Sequence, residues 1–98
     1  MNIGSRNIGE NHPPLVVVEI GINHGGNLDL ARSMVDAAYK AGAECIKHQT
    51  HFVEDEMTEE AKSIFPPNAD ISIWDVMQQC SLSRDEEISL KNHTENLG

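Results

Sequence analysis

The chain has 98 residues, a formal net charge of −9, 39% hydrophobic residues and 23% charged residues. This is an ordinary globular composition, and the length suits one small domain. Lys and Arg are not clustered, which argues against a surface for nucleic acid or anionic membranes. A single buried lysine could still hold a small anionic substrate.

The cellular location is predicted from three further features. No apolar run approaches the ~20 residues of a membrane span, and the polar start lacks the apolar core of a signal peptide. Cys45 and Cys80 stand alone without a CxxC spacing. Two isolated thiols suit a reducing compartment, so the sequence predicts a cytoplasmic protein.

Residues 1–14 are predicted to be a polar lead-in, in which Gly4 and Gly9 could turn a short hairpin. The run LVVVEI at 15–20 follows. It is mostly β-branched and continuous, which is typical of a parallel strand buried on both faces.

A helix is predicted over about 28–41, with an apolar stripe at three- and four-residue steps and Asn27 as its N-cap. Gly42 suits the left-handed residue that often follows a helix. A second strand is predicted over 43–50. Strand, helix and strand with short links form a βαβ unit, which requires a parallel sheet.

Residues 51–70 form a longer polar excursion. A helix is predicted after Ser72, and Ser83 with Glu86 forms a capping box that opens another helix to about Leu97. The fold class is therefore α/β. Two βα units with a hairpin-like lead-in amount to about a quarter of a (β/α)8 (TIM) barrel, which needs about 250 residues. The predicted organisation is a lead-in, 1–14, and an incomplete barrel domain, 15–98.

Candidate site residues lie at the ends of the two strands, where parallel α/β folds carry their working groups. Alternation places Lys47 and Gln49 on one face of the second strand and His48 on the other. Lys47 either contacts an anionic substrate or reaches solvent from the strand end. Glu19 either pairs with a neighbouring cation or orients substrate groups.

The histidines raise the question of a metal. His48 and His51 are three residues apart, which places them on opposite faces of an extended strand, so a shared metal is not predicted. His24 is either a site residue or the source of a hydrogen bond that stabilises its loop. The acidic run 54–56 lacks calcium-loop spacing, and neither a GxGxxG fingerprint nor a P-loop is present.

Several motifs, in order, resemble the opening of the N-acetylneuraminate (sialic acid) synthase family. They are EIGINHGG (19–26), DAA with AGA (36–43), KHQTH (47–51), VEDEM (53–57) and PNAD (67–70). The resemblance runs from about residue 15 to the end. It implies a TIM-barrel enzyme that condenses phosphoenolpyruvate with N-acetylmannosamine to give sialic acid and phosphate.

By position, Lys47 resembles the family residue that contacts phosphoenolpyruvate. Glu19, Gln49 and Asn68 resemble residues that contact the sugar. The resemblance further implies a homodimer and a divalent cation, Mn²⁺ or Mg²⁺, whose ligands lie on later strands, outside this chain. No metal ligand is therefore expected here.

Three alternatives stay open at this point. A legionaminic or pseudaminic acid synthase of the same family shares much of this opening, and another phosphoenolpyruvate-condensing or aldolase-type barrel would share the strand-end arrangement. A catalytically inactive remnant is the third. The 98-residue segment by itself is expected to be inactive, because two strands cannot close a barrel.

Overall fold

The computed structural model describes residues 1–98. Its strands are β1 (Asn2–Ile3), β2 (Arg6–Asn7), β3 (Val17–Gly21) and β4 (Cys45–His48). Its α-helices are α1 (Leu28–Lys40), α2 (Val53–Glu56), α3 (Ile73–Cys80) and α4 (Arg84–Asn96), and Ala61–Ser63 forms a single 3-10 turn.

The βαβ unit is present, and the α/β class is confirmed. β3 and β4 pair in parallel, with Val17 opposite Cys45 and Glu19 opposite Lys47, and α1 connects them. Both strands are shorter than the predicted 15–20 and 43–50. Because the register starts at Cys45, Leu15 and Val16 would lie opposite the turn that ends α1, which leaves them no strand to pair with.

The predicted caps explain where the helices begin. The Asn27 side chain accepts a hydrogen bond from the Leu30 N–H at the start of α1. Ser72 caps α3 in the same way, and Ser83 with Glu86 forms the complete capping box of α4. All three predicted N-caps are confirmed. Each satisfies backbone N–H groups that a helix start leaves without partners.

One side of the β3–β4 sheet carries the core. Its buried cluster consists of Ile20, Ala31, Val35, Leu82 and Leu90. The helices α1 and α4 pack together on this side and are joined by a hydrogen bond from Arg32 Nη2 to Ser89 Oγ, 2.5 Å.

The opposite side of the sheet is uncovered. Val17 is 49% exposed, whereas Ile20 in the same strand is 2% exposed. The prediction that this strand is buried on both faces is therefore wrong. The reason is that both packed helices lie on one side and no second layer covers the other.

The lead-in forms the predicted hairpin. β1 and β2 pair antiparallel around Gly4, whose φ of +58° suits a tight turn, and Gly9 lies outside that turn. Arg6 Nε donates to Glu44 Oε2 over 2.7 Å, which ties the hairpin to the residue before β4. The hairpin thus lies at the amino end of the sheet, away from the strand ends that carry the candidate site. None of the helices is both long and apolar enough to cross a membrane.

Candidate functional site

Glu19 and Lys47 lie side by side on the uncovered face of the sheet. They are cross-strand partners, and Lys47 Nζ is 3.4 Å from Glu19 Oε2. Their side chains are 54% and 59% exposed, so solvent screens the pair and its attraction is weak. A weak, open pair leaves the ammonium available to another anion.

Gln49 follows the end of β4 and reaches the neighbouring strand. Its Oε1 lies 3.6 Å from the position that a Cβ on Gly21 would occupy. Gly21 is buried and has a φ of +53°, which a side chain would strain. Gly21 thus turns the chain out of β3 directly beside Gln49.

The strand-end residues lie on an open face. Glu19 and Lys47 share this face, and neither they nor Gln49 line two cavities of about 440 and 380 Å³ elsewhere in the chain. The face is open because nothing packs over it. A common substrate cavity for Glu19, Lys47 and Gln49 stays a prediction.

Asn68 is not brought to this face by any hydrogen bond to the other three residues. It is exposed in the turn after Pro67. The surrounding excursion is held instead to α3, through the Ile73 N–H bond to Ile64 O at 2.6 Å and Lys62 Nζ over the Trp74 ring at 4.6 Å. A role for Asn68 at the site stays a prediction.

The covered face carries a polar group that sequence reasoning missed. His48 Nε2 is 2.8 Å from Glu87 Oε2, and the Thr50 hydroxyl donates to the same oxygen over 3.1 Å. Strand alternation indicated that His48 faces away from Lys47. The partner on α4 gave no signal, because it lies 39 residues further along the chain.

His24 is buried beside this group. It is 1% exposed, its ring centroid is 5.3 Å from that of His48, and its Nδ1 accepts a hydrogen bond from the Gly26 N–H. Of its two possible roles, the loop-stabilising hydrogen bond is therefore present. Burial lowers the pKa of His24, and neighbouring His48 lowers it further, against the opposing effect of Glu87 and Glu86.

A metal centre does not fit the residues present. His48 and His51 have separate carboxylate partners, with His51 Nδ1 2.8 Å from Glu56 Oε2. No three side chains of His, Cys, Asp or Glu are grouped as ligands.

The family model of the NeuB family matches residues 34–98. This chain belongs to the NeuB family. The match runs from the middle of α1 through α4 and includes Lys47 and Gln49, whereas Glu19 lies before it.

Known relatives agree with this membership. The chain is 34% identical to the spore coat polysaccharide biosynthesis protein SpsE of Bacillus subtilis, over 82% of its own length and 22% of the relative. It is 43% identical to human N-acetylneuraminate-9-phosphate synthase, over 48% of its length and 13% of the relative.

The fold agrees as well. A crystal structure of N-acetylneuraminic acid (sialic acid) synthetase from Leptospira borgpetersenii, in complex with citrate, matches this NeuB-family chain with a TM-score of 0.78 and 28% identity. The match covers 99% of this chain and 30% of that one. The chain thus spans less than a third of each of these relatives.

Proposed function

We propose that this chain is the N-terminal portion of a sialic acid synthase that condenses phosphoenolpyruvate with N-acetylmannosamine to give sialic acid and phosphate. The observation that carries the proposal is the Glu19–Lys47 pair at the carboxyl ends of two parallel strands, on the face that no helix covers. NeuB-family membership and the likeness to a sialic acid synthetase support it.

The proposed architecture is a (β/α)8 barrel of which this segment supplies the first two βα units. In such a barrel the helices form an outer ring, the strands present their other face to the interior, and the active site lies at the carboxyl ends. α1 and α4 pack on one side of the sheet. Under this proposal, the uncovered face with Glu19 and Lys47 faces the barrel interior.

Lys47 is proposed to bind phosphoenolpyruvate. An ammonium neutralises an anionic donor and fixes it beside the acceptor, which lowers the barrier by positioning and by electrostatics. Its pairing with Glu19 is weak and open to solvent, so a substrate anion can replace Glu19 as its partner. Glu19, Gln49 and Asn68 are proposed to contact the sugar.

The proposed reaction forms a carbon–carbon bond between the terminal methylene carbon of phosphoenolpyruvate and the aldehyde carbon of the open-chain sugar. Water then adds at the phosphate-bearing carbon, and the carbon–oxygen bond to phosphate breaks to release inorganic phosphate. A divalent cation, Mn²⁺ or Mg²⁺, is part of the proposal for the full-length enzyme, with its ligands outside this segment. A cytoplasmic homodimer is proposed as the working form.

The acceptor sugar is the part of the proposal that relatives leave open. Their names point to a spore coat polysaccharide, to sialic acid and to a sialic acid 9-phosphate. The second candidate function is therefore the same reaction with a different acceptor sugar, in a synthase for a related nine-carbon acid such as legionaminic or pseudaminic acid. The two differ only in which sugar is used, so one panel of acceptors separates them.

The test is an assay of phosphate release by the full-length protein, with phosphoenolpyruvate, Mn²⁺ and a panel of N-acylated sugars that includes N-acetylmannosamine. We expect Lys47→Ala to lower kcat/KM for phosphoenolpyruvate by about 10- to 100-fold, since a hydrogen bond to a charged group is lost. Lys91→Ala is the matched control, because Lys91 is 71% exposed on α4 and pairs with Glu95.

Three results would contradict the proposal in different ways. No turnover with any acceptor would favour an inactive remnant. Turnover with another sugar alone would replace N-acetylmannosamine and keep the reaction type. An unchanged kcat/KM for phosphoenolpyruvate in Lys47→Ala would remove Lys47 from the donor site.

A further inference from the structure

The covered side of the sheet holds a row of buried and partly buried polar groups directly behind the proposed site. We infer that His24, His48 and Glu87 form a hydrogen-bonded relay that positions Lys47 and Gln49 for the proposed reaction. This inference rests on the proposed function and adds positioning residues to it. None of the three side chains lies on the uncovered face, so they act through their neighbours and do not touch the substrate.

The relay follows from the donors and acceptors of the two rings. Gly26 N–H donates to His24 Nδ1 over 3.1 Å, so a neutral His24 carries its proton on Nε2. Glu87 accepts from His48 Nε2, so a neutral His48 leaves Nδ1 as an acceptor. Each histidine tautomer is thereby fixed by a different neighbour.

The two remaining nitrogens complement each other. His24 Nε2 and His48 Nδ1 are both buried and both lack a hydrogen-bond partner among the protein atoms. One is a donor and the other an acceptor, and their rings lie 5.3 Å apart with a tilt of 42°. Because buried polar groups are nearly always paired, a small ring rotation or one bridging water is expected to join them.

Burial favours the neutral form of His24 that the relay requires, against the opposing effect of Glu87 and Glu86. The groups that face it are His48 from β4 and Glu86 and Glu87 from α4. Burial acts most strongly and lowers the pKa of His24. A protonated ring would place a second N–H against the Gly26 N–H and break the row.

The relay fixes the end of β4 from behind. His48 and Thr50 both bond to the same Glu87 oxygen, so alternate residues of this segment are anchored on the covered side. Gln49 lies between these two residues and Lys47 comes directly before them, so both side chains are directed to the uncovered side. His24 anchors the loop that follows β3 in the same way, so both strand ends are held by one network.

The kinetic test compares three changes on α4 of the full-length protein. Glu87→Ala removes the shared acceptor, and we expect it to lower kcat/KM for phosphoenolpyruvate roughly tenfold, chiefly through KM. Glu87→Gln keeps an acceptor oxygen and should retain activity within a few-fold. Glu95→Ala on the exposed side of α4 is the control and should change nothing.

Equal losses in Glu87→Ala and Glu87→Gln would overturn the hydrogen-bond role, and unchanged kinetics in Glu87→Ala would overturn positioning altogether. If a variant fails to fold, the NMR measurement on the wild-type protein decides whether the relay exists.

The second test needs no turnover. Nitrogen NMR of the ¹⁵N-histidine-labelled protein at pH 7.5 should show a proton on Nε2 and none on Nδ1 of both His24 and His48, as their hydrogen bonds to Gly26 and Glu87 require. A proton on Nδ1 of either ring, or a cationic His24, would overturn the relay. An active enzyme with the wrong tautomers refutes the relay alone, whereas the expected tautomers without turnover on any acceptor refute the proposed function.

Discussion

The two faces of the β3–β4 sheet are built from the same strands but differ in what covers them. The covered face contributes Val18, Ile20, Ile46 and His48 to the packing against α1 and α4. The uncovered face presents Val17, Glu19, Cys45 and Lys47 to solvent. Because strand side chains alternate, successive residues of these two strands point in turn to the packed core and to the open face where the function is proposed.

The largest expected effect on stability is at the covered face. Ile20→Ala should lower the free energy of unfolding by about 2–5 kcal/mol, because it leaves a cavity in the buried cluster. Val17→Ala in the same strand should cost under about 1 kcal/mol, because Val17 is half exposed. Urea unfolding of variants of this 98-residue chain measures both, and equal losses would refute the difference between the faces.

The next largest loss of stability is expected at Gly26, in the loop between β3 and α1. A Cβ on Gly26 would lie 2.2 Å from the Gln79 carbonyl oxygen, at a φ of +81°, so Gly26→Ala should cost about 2 kcal/mol or more. Gly25→Ala is the matched control: its φ is +61° but nothing lies within 4 Å, so backbone strain of about 1 kcal/mol is expected. Thermal unfolding compares the two, and a Gly26→Ala variant as stable as Gly25→Ala would contradict the close approach.

A smaller effect should appear as a dependence of stability on pH. The pKa of His24 is lowered from 6.5 in the folded protein, chiefly by burial, so the unfolded state binds the proton more readily. The contribution is fully present above about pH 6.5 and is lost as the pH falls from there through the folded pKa. Unfolding free energies at pH 7.5 and pH 5 should therefore differ less in His24→Asn than in the wild type. His12→Asn, in the exposed lead-in, should keep the wild-type slope.

The smallest effect is expected where function is proposed. In this 98-residue chain, Lys47→Ala should change the free energy of unfolding by no more than about 0.5 kcal/mol, because its ion pair with Glu19 is open to solvent. The same variant should lose donor use in the kinetic assay. A large loss of stability would mean that Lys47 serves the fold and would weaken the separation between the two faces.

Local signals predicted most of the fold. The caps at Asn27, Ser72 and Ser83 each satisfy backbone groups within three residues, so the sequence carries the whole interaction. The pairing of Glu19 with Lys47 follows from alternation and from the parallel register of two neighbouring strands. Strand lengths were overestimated, because pairing ends where the partner strand ends, and a single strand's composition does not contain that information.

The sequence by itself determined the order of the elements, the caps, the helix stripes and the residues at the strand ends. All of these depend on neighbours within a few positions. Only the tertiary structure decided that one sheet face is bare, that His48 meets Glu87 across 39 residues, and that Gly26 lies against the Gln79 backbone. These contacts depend on where α3 and α4 pack, and that packing is set by the shape of the buried cluster, which no local pattern of residues encodes.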